Sequence, residues 1–192
     1  MSFAKTFSAQ PSVLGAKIID VEVDISKGLN AFTVVGLPDK GVEESKDRVS
    51  AAIKNSGYKS PKNKNQKVVV SLAPADVKKE GPLFDLAIAL AYLLAAGDIA
   101  FDPKKKIFLG ELSLDGGLRK IKGVLALCEK ARARGFEEIF VPAENAREAA
   151  LIEGIRVFSV RSLKEIIDHL DTKQGDMKED SVIEVKRLVA IP

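Results

Sequence analysis

From Ile18 to Ile25 the chain alternates, with Ile19, Val21, Val23 and Ile25 set against Asp20, Glu22 and Asp24. A period of two puts the apolar set on one face, which predicts a half-buried strand. Lys27-Gly28-Leu29-Asn30 reads as a turn, and Ala31 to Val35 predicts a second strand returning as a hairpin. Helical spacing follows. Pro38 and Asp39 open a helix with Glu43 and Glu44 in its first turn, Val42, Val49, Ala52 and Ile53 supply its buried stripe, and Gly57 ends it. Lys67 to Leu72, with the run Val68-Val69-Val70, predicts a central strand. Gly81-Pro82 introduces a helix from Leu83 to Ala96 that is apolar nearly all round and therefore buried on most sides.

Further along, Ile107 to Leu109 predicts a strand, and Asp115-Gly116 a hairpin turn before Leu118-Arg119. A third helix spans Val124 to Arg134, with Lys130, Arg132 and Arg134 near its end and Gly135 as the stop. Glu138 to Val141 reads as a strand, Ala143 to Ile152 as a helix, and Arg156 to Val160 as a strand. Ser162-Leu163-Lys164-Glu165 is a capping box for a last helix ending near Leu170. The order of elements predicts a mixed α/β domain, an α+β arrangement of two layers with helices packed on a mixed sheet. One domain is expected over 1–171. Residues 172–192 turn polar and then regain β-type residues, and are expected to be a linker or tail.

Composition narrows the chemistry. The chain has 192 residues, 46% hydrophobic and 6% aromatic with no tryptophan, which suits one aliphatic core. A net charge of +3 is compatible with nucleic acid but too small to argue for it alone. Cys128 is the single cysteine, which excludes an internal disulfide and a cysteine-based zinc site. The amino terminus lacks the apolar stretch of a signal peptide, and the longest apolar run, Leu86 to Ala96, is too short for a bilayer. A soluble cytoplasmic protein without membrane partners is the expectation.

Catalytic groups are scarce. His169 is the only histidine and sits at a helix end, where a surface residue favoured by the helix dipole is the simpler reading. Cys128 lies in an apolar stripe with Leu125 and Leu127, as a buried small hydrophobe would. Glu80, Asp85 and Glu111 lie near turns, where cap and turn roles account for them. There is no glycine-rich phosphate loop, since the glycines at 110, 116, 117 and 123 belong to a hairpin and a helix entrance. No metal-ligand pattern occurs. The basic residues say more. Lys54, Lys59, Lys62, Lys64 and Lys67 occur with no acidic residue among them, and Arg119, Lys120 and Lys122 follow the hairpin. Flexible lysines on a loop suit phosphate contacts that carry no sequence information, although a loop kept solvated by charge has the same composition. Lys104-Lys105-Lys106 is expected to protect a sheet edge.

Lys78-Lys79-Glu80-Gly81-Pro82-Leu83-Phe84-Asp85 resembles the segment of Lon-type proteases that opens a helix with the catalytic serine. Gly110-Glu111-Leu112-Ser113-Leu114-Asp115-Gly116 resembles the hairpin that precedes the catalytic lysine. The resemblance implies a Lon protease C-terminal-domain-like fold, related to ribosomal protein domain 2, with Leu83 and Leu125 at the two dyad positions. Neither side chain can act as nucleophile or base. A narrower resemblance runs in order through Ile25-Ser26-Lys27-Gly28-Leu29, Val34-Val35-Gly36-Leu37-Pro38, Asp47-Arg48-Val49, Asn55-Ser56-Gly57-Tyr58 and Leu72-Ala73-Pro74-Ala75-Asp76. It continues through Lys79-Glu80-Gly81, Phe84-Asp85-Leu86, Gly110-Glu111-Leu112 and Gly117-Leu118-Arg119. This series resembles the opening of the ComM/YifB family of magnesium-chelatase-like AAA+ ATPases.

That family resemblance implies a Lon-like, ChlI-type amino-terminal domain ahead of an ATPase module. The whole is associated with hexameric DNA helicase or branch-migration activity in recombination of incoming DNA during competence. ATP and Mg²⁺ would belong to the ATPase module, leaving this chain with no cofactor and no enzymatic activity. The resulting expectation is a non-catalytic domain that contributes to weak, sequence-independent DNA engagement and to assembly of a ring. A protein–protein interaction or oligomerisation module without DNA contact is the rival, and a residual Lon-type peptidase is the weakest reading, since fold alone supports it.

Overall fold

The computed structural model describes residues 2–174 and the backbone of residues 183 and 184. Strands β1 (Phe3–Ser12) and β2 (Gly15–Lys27) form an antiparallel ladder running from Phe3↔Asp24 to Ser12↔Gly15. Hydrophobic alternation reveals β2 but hides β1. The inward side chains of β1 include Thr6 and Ser8, whose hydroxyls donate to the carbonyls of Ala87 and Phe108 at 2.9 Å each. Polar groups with buried partners stand where a strand pattern expects aliphatics.

The expected hairpin between β2 and β3 (Ala31–Val35) does not form. β2 pairs with β1 on one edge and with β4 (Gln66–Ala73) on the other, so it has no edge left. β3 instead pairs parallel to β4, giving the order β1-β2-β4-β3 with β4 inside the sheet as expected. Gly36 then turns the chain at φ +107°, where an added Cβ would stand 2.1 Å from the Leu72 carbonyl oxygen. Only glycine fits there.

The first predicted helix divides into α1 (Lys40–Glu43) and α2 (Ser45–Asn55). Asp39 caps α1 by accepting from the Val42 amide at 2.8 Å, and Arg48 Nη2 donates to the Gly41 carbonyl at 2.8 Å beside the break. α3 (Asp85–Ala96) is buried along nearly its whole length and packs on the face of the sheet that carries Thr6. Side chains alternate across a strand, so Phe7 points the other way, where it meets Phe136 edge-on at 5.4 Å. α4 (Val124–Ala133) lies on that second face, its Lys130 and the C-cap residue Arg134 sharing a cleft with Ile18 and Asp20. Helices therefore cover the sheet on both sides, where two layers had been expected.

A second sheet is built from β5 (Lys106–Phe108), β8 (Glu138–Pro142) and β9 (Arg156–Val160), all parallel, and in sequence β5 and β8 are separated by a short two-stranded ribbon of β6 (Glu111–Leu112) and β7 (Leu118–Arg119). Registered phenylalanines at 108, 140 and 158 stack across the parallel strands with centroids 5.2 and 4.8 Å apart. β5 is an edge strand, in keeping with the lysines at its start, of which Lys106 pairs with Glu138 at 3.4 Å. The helix expected over 143–152 shrinks to α5 (Ala146–Ala149), preceded by a 3-10 turn at Ala143–Asn145. There the buried Asn145 amide bonds both backbone groups of Ile121 at 2.9 Å.

α6 (Leu163–Leu170) begins at its predicted capping box, with Ser162 Oγ accepting from the Glu165 amide at 3.2 Å. Beyond it, Asp171 is buried and accepts from the Ala100 amide at 2.9 Å. Ile183–Glu184, strand β10, pairs antiparallel with β9, a partner that the sequence does not disclose. At the start of the expected linker, Thr172–Gln174 form a 3-10 turn in which the Thr172 amide donates to the Ala100 carbonyl at 2.8 Å, and residues 175–182 and 185–192 lie outside the described residues. Among the described residues, no helix is long and apolar enough to cross a membrane.

Candidate nucleic-acid interface

The five loop lysines are not equivalent in the structure. Lys54 is exposed in the last turn of α2, Lys59 is exposed beyond it, and Lys67 points to solvent from β4. None of the three forms an ion pair among the described residues. Lys62 and Lys64 differ. Lys62 Nζ meets Asp47 at 2.6 Å, and that hydrogen bond holds the Asp47 carboxyl below its ordinary range. Lys64 Nζ lies 3.7 Å from Asp98 and 5.9 Å from the centroid of the Tyr92 ring. The loop has no acidic residue of its own, but the fold brings in two carboxylates from α2 and from the turn after α3.

The second basic group stands elsewhere. Arg119 is exposed and pairs with Glu111 at 3.4 Å. Lys120 and Lys122 are exposed and line a groove of about 430 Å³ with Gln10, Glu80 and Leu83. That groove lies at the entry to α3, whereas Lys64 and Gln66 contact Tyr92 and Asp98 at the helix's far end. A helix of this length spans about 18 Å, so the two basic groups are separate patches. Lys54 lies nearer the hairpin, because the neighbouring Asn55 side chain donates to the Leu114 carbonyl at 2.7 Å. Lys54, Lys59 and Lys67 are exposed without a carboxylate partner among the described residues, and Lys67 leaves β4 on the face opposite Gln66, while Lys120 and Lys122 are exposed at the groove by the entry to α3.

The same small groove holds one of the two dyad positions. Leu83 is buried in its wall, while Leu125 is 37% exposed on α4 and does not line it. The nearest hydroxyls in sequence serve structure. Ser113 Oγ bonds Asp115 at 2.5 Å and the Gly117 carbonyl at 3.1 Å, both within the hairpin turn. Ser71 belongs to β4, paired opposite Glu22. Cys128 is fully buried and its thiol is pushed up to about 12 by burial. His169 is half-buried against the rings of Phe140 and Phe158, rather than free on the surface, and burial lowers its pKa.

Two features escape a reading of the sequence. Asp85 is fully buried, and Arg48 meets it with Nε at 2.6 Å and Nη2 at 3.1 Å. The Leu112 amide donates to the same carboxylate at 3.1 Å, so this pair ties α2, α3 and the β6–β7 ribbon together. Burial pushes the Asp85 carboxyl up and the guanidinium pulls it back, while Asp85 holds Arg48 above its usual value despite partial desolvation. The second feature is Lys79, shielded from solvent with its ammonium on the Pro74 carbonyl, and burial lowers its pKa. Gln10 clamps the same segment, donating to the Lys78 carbonyl at 2.8 Å and accepting from the Glu80 amide at 3.2 Å. The only sequence signal for Arg48, Asp85 and Lys79 is that each lies in a segment that carries the family resemblance.

Residues 21–145 match the family model described as subunit ChlI of Mg-chelatase. The chain is 34% identical over 175 residues to competence protein ComM of Haemophilus influenzae, covering 91% of this chain and 34% of that protein. It is 40% identical over 163 residues to the uncharacterized protein YifB of Escherichia coli, covering 84% and 31% respectively. A more distant similarity, 27% over 163 residues, relates 80% of the chain to 20% of a Lon protease of Acinetobacter baumannii. The chain belongs to the magnesium-chelatase-like family that includes ComM and YifB. It spans about a third of the length of those relatives.

Proposed function

We propose that this chain is the non-catalytic, Lon-like amino-terminal domain of a ComM/YifB-type AAA+ DNA helicase or branch-migration ATPase, contributing to DNA engagement and to assembly of a hexameric ring. The observation that carries the reading is the set of exposed lysines without carboxylate partners, Lys54, Lys59 and Lys67, in a member of this family. Ammonium groups on flexible stems contact phosphate without reading bases, which suits a motor that acts on any sequence. Leucine at both dyad positions leaves no nucleophile and no base for peptide hydrolysis. On this reading, ATP and Mg²⁺ are bound by the ATPase module of such a protein.

An interaction module is the second reading. The turn between β1 and β2 presents Val13 and Leu14 at 100% and 97% exposure, apolar surface more suited to protein than to phosphate. A comparison of the chain with the K54E/K59E/K67E variant on single- and double-stranded DNA separates the two. The DNA reading expects weaker binding on every sequence alike, at an unchanged melting temperature because exposed charges contribute little to stability. Equal binding by parent and variant at low salt leaves the interaction module as the better account.

A further inference from the structure

Sheet edges that could pair with another chain are guarded in this fold, except one. β1 lies against β5, with Ser8 Oγ on the Phe108 carbonyl at 2.9 Å. β10 is only two residues long, and lysines stand at the start of β5. Each is a way in which proteins keep an edge from recruiting a strand. β3, the outermost strand of the first sheet, has none of them. Its residues, Ala31-Phe32-Thr33-Val34-Val35, carry no charge and no proline, and its register with β4 runs without a bulge. Phe32 and Val34 are half-buried and Thr33 is exposed. Val35 is 43% exposed, and beyond the two ends Leu29 and Leu37 are 93% and 55% exposed. Leu37 also keeps a left-handed backbone, φ +56°, which is strained for a leucine and leaves its side chain in water. Beside the strand a notch of about 190 Å³ is lined by Phe32, Thr33, Val34, Glu43 and Lys46. Glu43 and Lys46 are exposed, and neither forms an ion pair among the described residues.

We propose that β3 is a contact between two copies of this chain, pairing antiparallel with β3 of a second copy about a two-fold axis at Thr33. The strand and its flanks are self-complementary. Pairing about that axis sets Thr33 against Thr33 and, twice over, Phe32 against Val34, cross-strand pairs of the kinds that stabilise sheets. The antiparallel direction lays the end carrying Leu29 against the neighbour's end carrying Val35 and Leu37. Apolar groups left in water by one copy then meet those of the other. One acid and one base stand unpaired beside the strand, so a two-fold contact pairs the Glu43 of each copy with the Lys46 of the other. The same balance leaves no excess charge at this edge to recruit phosphate or a strongly acidic or basic partner. An isologous pair closes at two copies, unlike the head-to-tail contacts of a ring, and it involves none of the lysines of the DNA reading.

Sedimentation velocity of the 192-residue chain over a concentration series tests it, with the variants Thr33→Lys and Thr33→Glu alone and mixed. The expected result for the parent is a monomer–dimer equilibrium. Each variant alone is expected to associate about tenfold more weakly, because like charges then face each other at the axis. An equimolar mixture of the two is expected to recover at least the parent's association, since lysine there meets glutamate. Both variants change one exposed side chain and are expected to keep the circular dichroism spectrum of the parent. A parent that stays monomeric at the highest concentration overturns the proposal and leaves the edge to a strand of another protein. Association of folded T33K equal to the parent's also overturns it, placing the contact elsewhere on the surface. A mixture that associates no more than its separate variants overturns the two-fold pairing at Thr33.

Discussion

Replacing Arg48 with methionine keeps the length of the side chain but leaves the Asp85 carboxylate in the interior without a counter-charge, with only the Leu112 amide and the Ser45 hydroxyl as donors. Asp85 is fully buried and the Arg48 side chain is only 17% exposed, so solvent cannot replace the lost charge. Breaking a buried pair of this kind costs about 3–5 kcal/mol. For a domain of this size that corresponds to a fall in Tm of roughly 6–20 °C. The loss depends on pH. Burial already raises the Asp85 carboxyl in the parent, and removing Arg48 raises it further. A carboxyl that binds its proton more tightly when folded favours the folded state at low pH and loses that advantage as pH rises through its folded pKa. The deficit of R48M against the parent is therefore expected to be small near pH 4 and full above neutrality. Urea melts followed by circular dichroism at several pH values measure it. A deficit under about 1 kcal/mol, or one that is the same at pH 4 and pH 8, refutes the reasoning.

Gly36→Ala is expected to be severely destabilising or to prevent folding, because the new methyl would stand 2.1 Å from the Leu72 carbonyl oxygen at a φ of +107°; a soluble variant with an unchanged Tm contradicts this. Cys128 is expected to resist a thiol reagent at pH 8 in the folded chain and to react on addition of denaturant, since it is buried with its thiol raised to about 12; stoichiometric reaction without denaturant is the contrary result. A serine-directed fluorophosphonate is expected to leave the chain unlabelled, and labelling abolished by mutating one serine would restore the peptidase reading.

Some of this architecture is legible in the residues alone. β2 follows from strict alternation, β4 from its valine run, α3 from a continuous apolar stretch and α6 from the Ser162–Glu165 cap, because in these elements the local pattern and the burial agree. β1 was invisible because Thr6 and Ser8 meet their partners across the fold, at Ala87 and Phe108, which no local pattern encodes. The pairing of β3 with β4 depended on β2 having both edges taken, a property of the sheet as a whole. At the lysine loop, the charges were readable but their partners were not. Asp47 lies 15 residues before Lys62, and Asp98 beyond α3 from Lys64, so only the fold separates the engaged lysines from the free ones.

The central claim, that Lys54, Lys59 and Lys67 engage phosphate, is tested most directly by the salt dependence of DNA binding. Equilibrium titration of the chain with a duplex and a single strand, repeated across a series of salt concentrations, gives the slope of log K against log salt. Three phosphate contacts predict a slope of about −2.7 on duplex and about −2.1 on single strands, with dissociation constants of roughly 10⁻⁴–10⁻⁶ M at physiological salt and no dependence on sequence. A slope near zero, or no binding at low salt, contradicts the account.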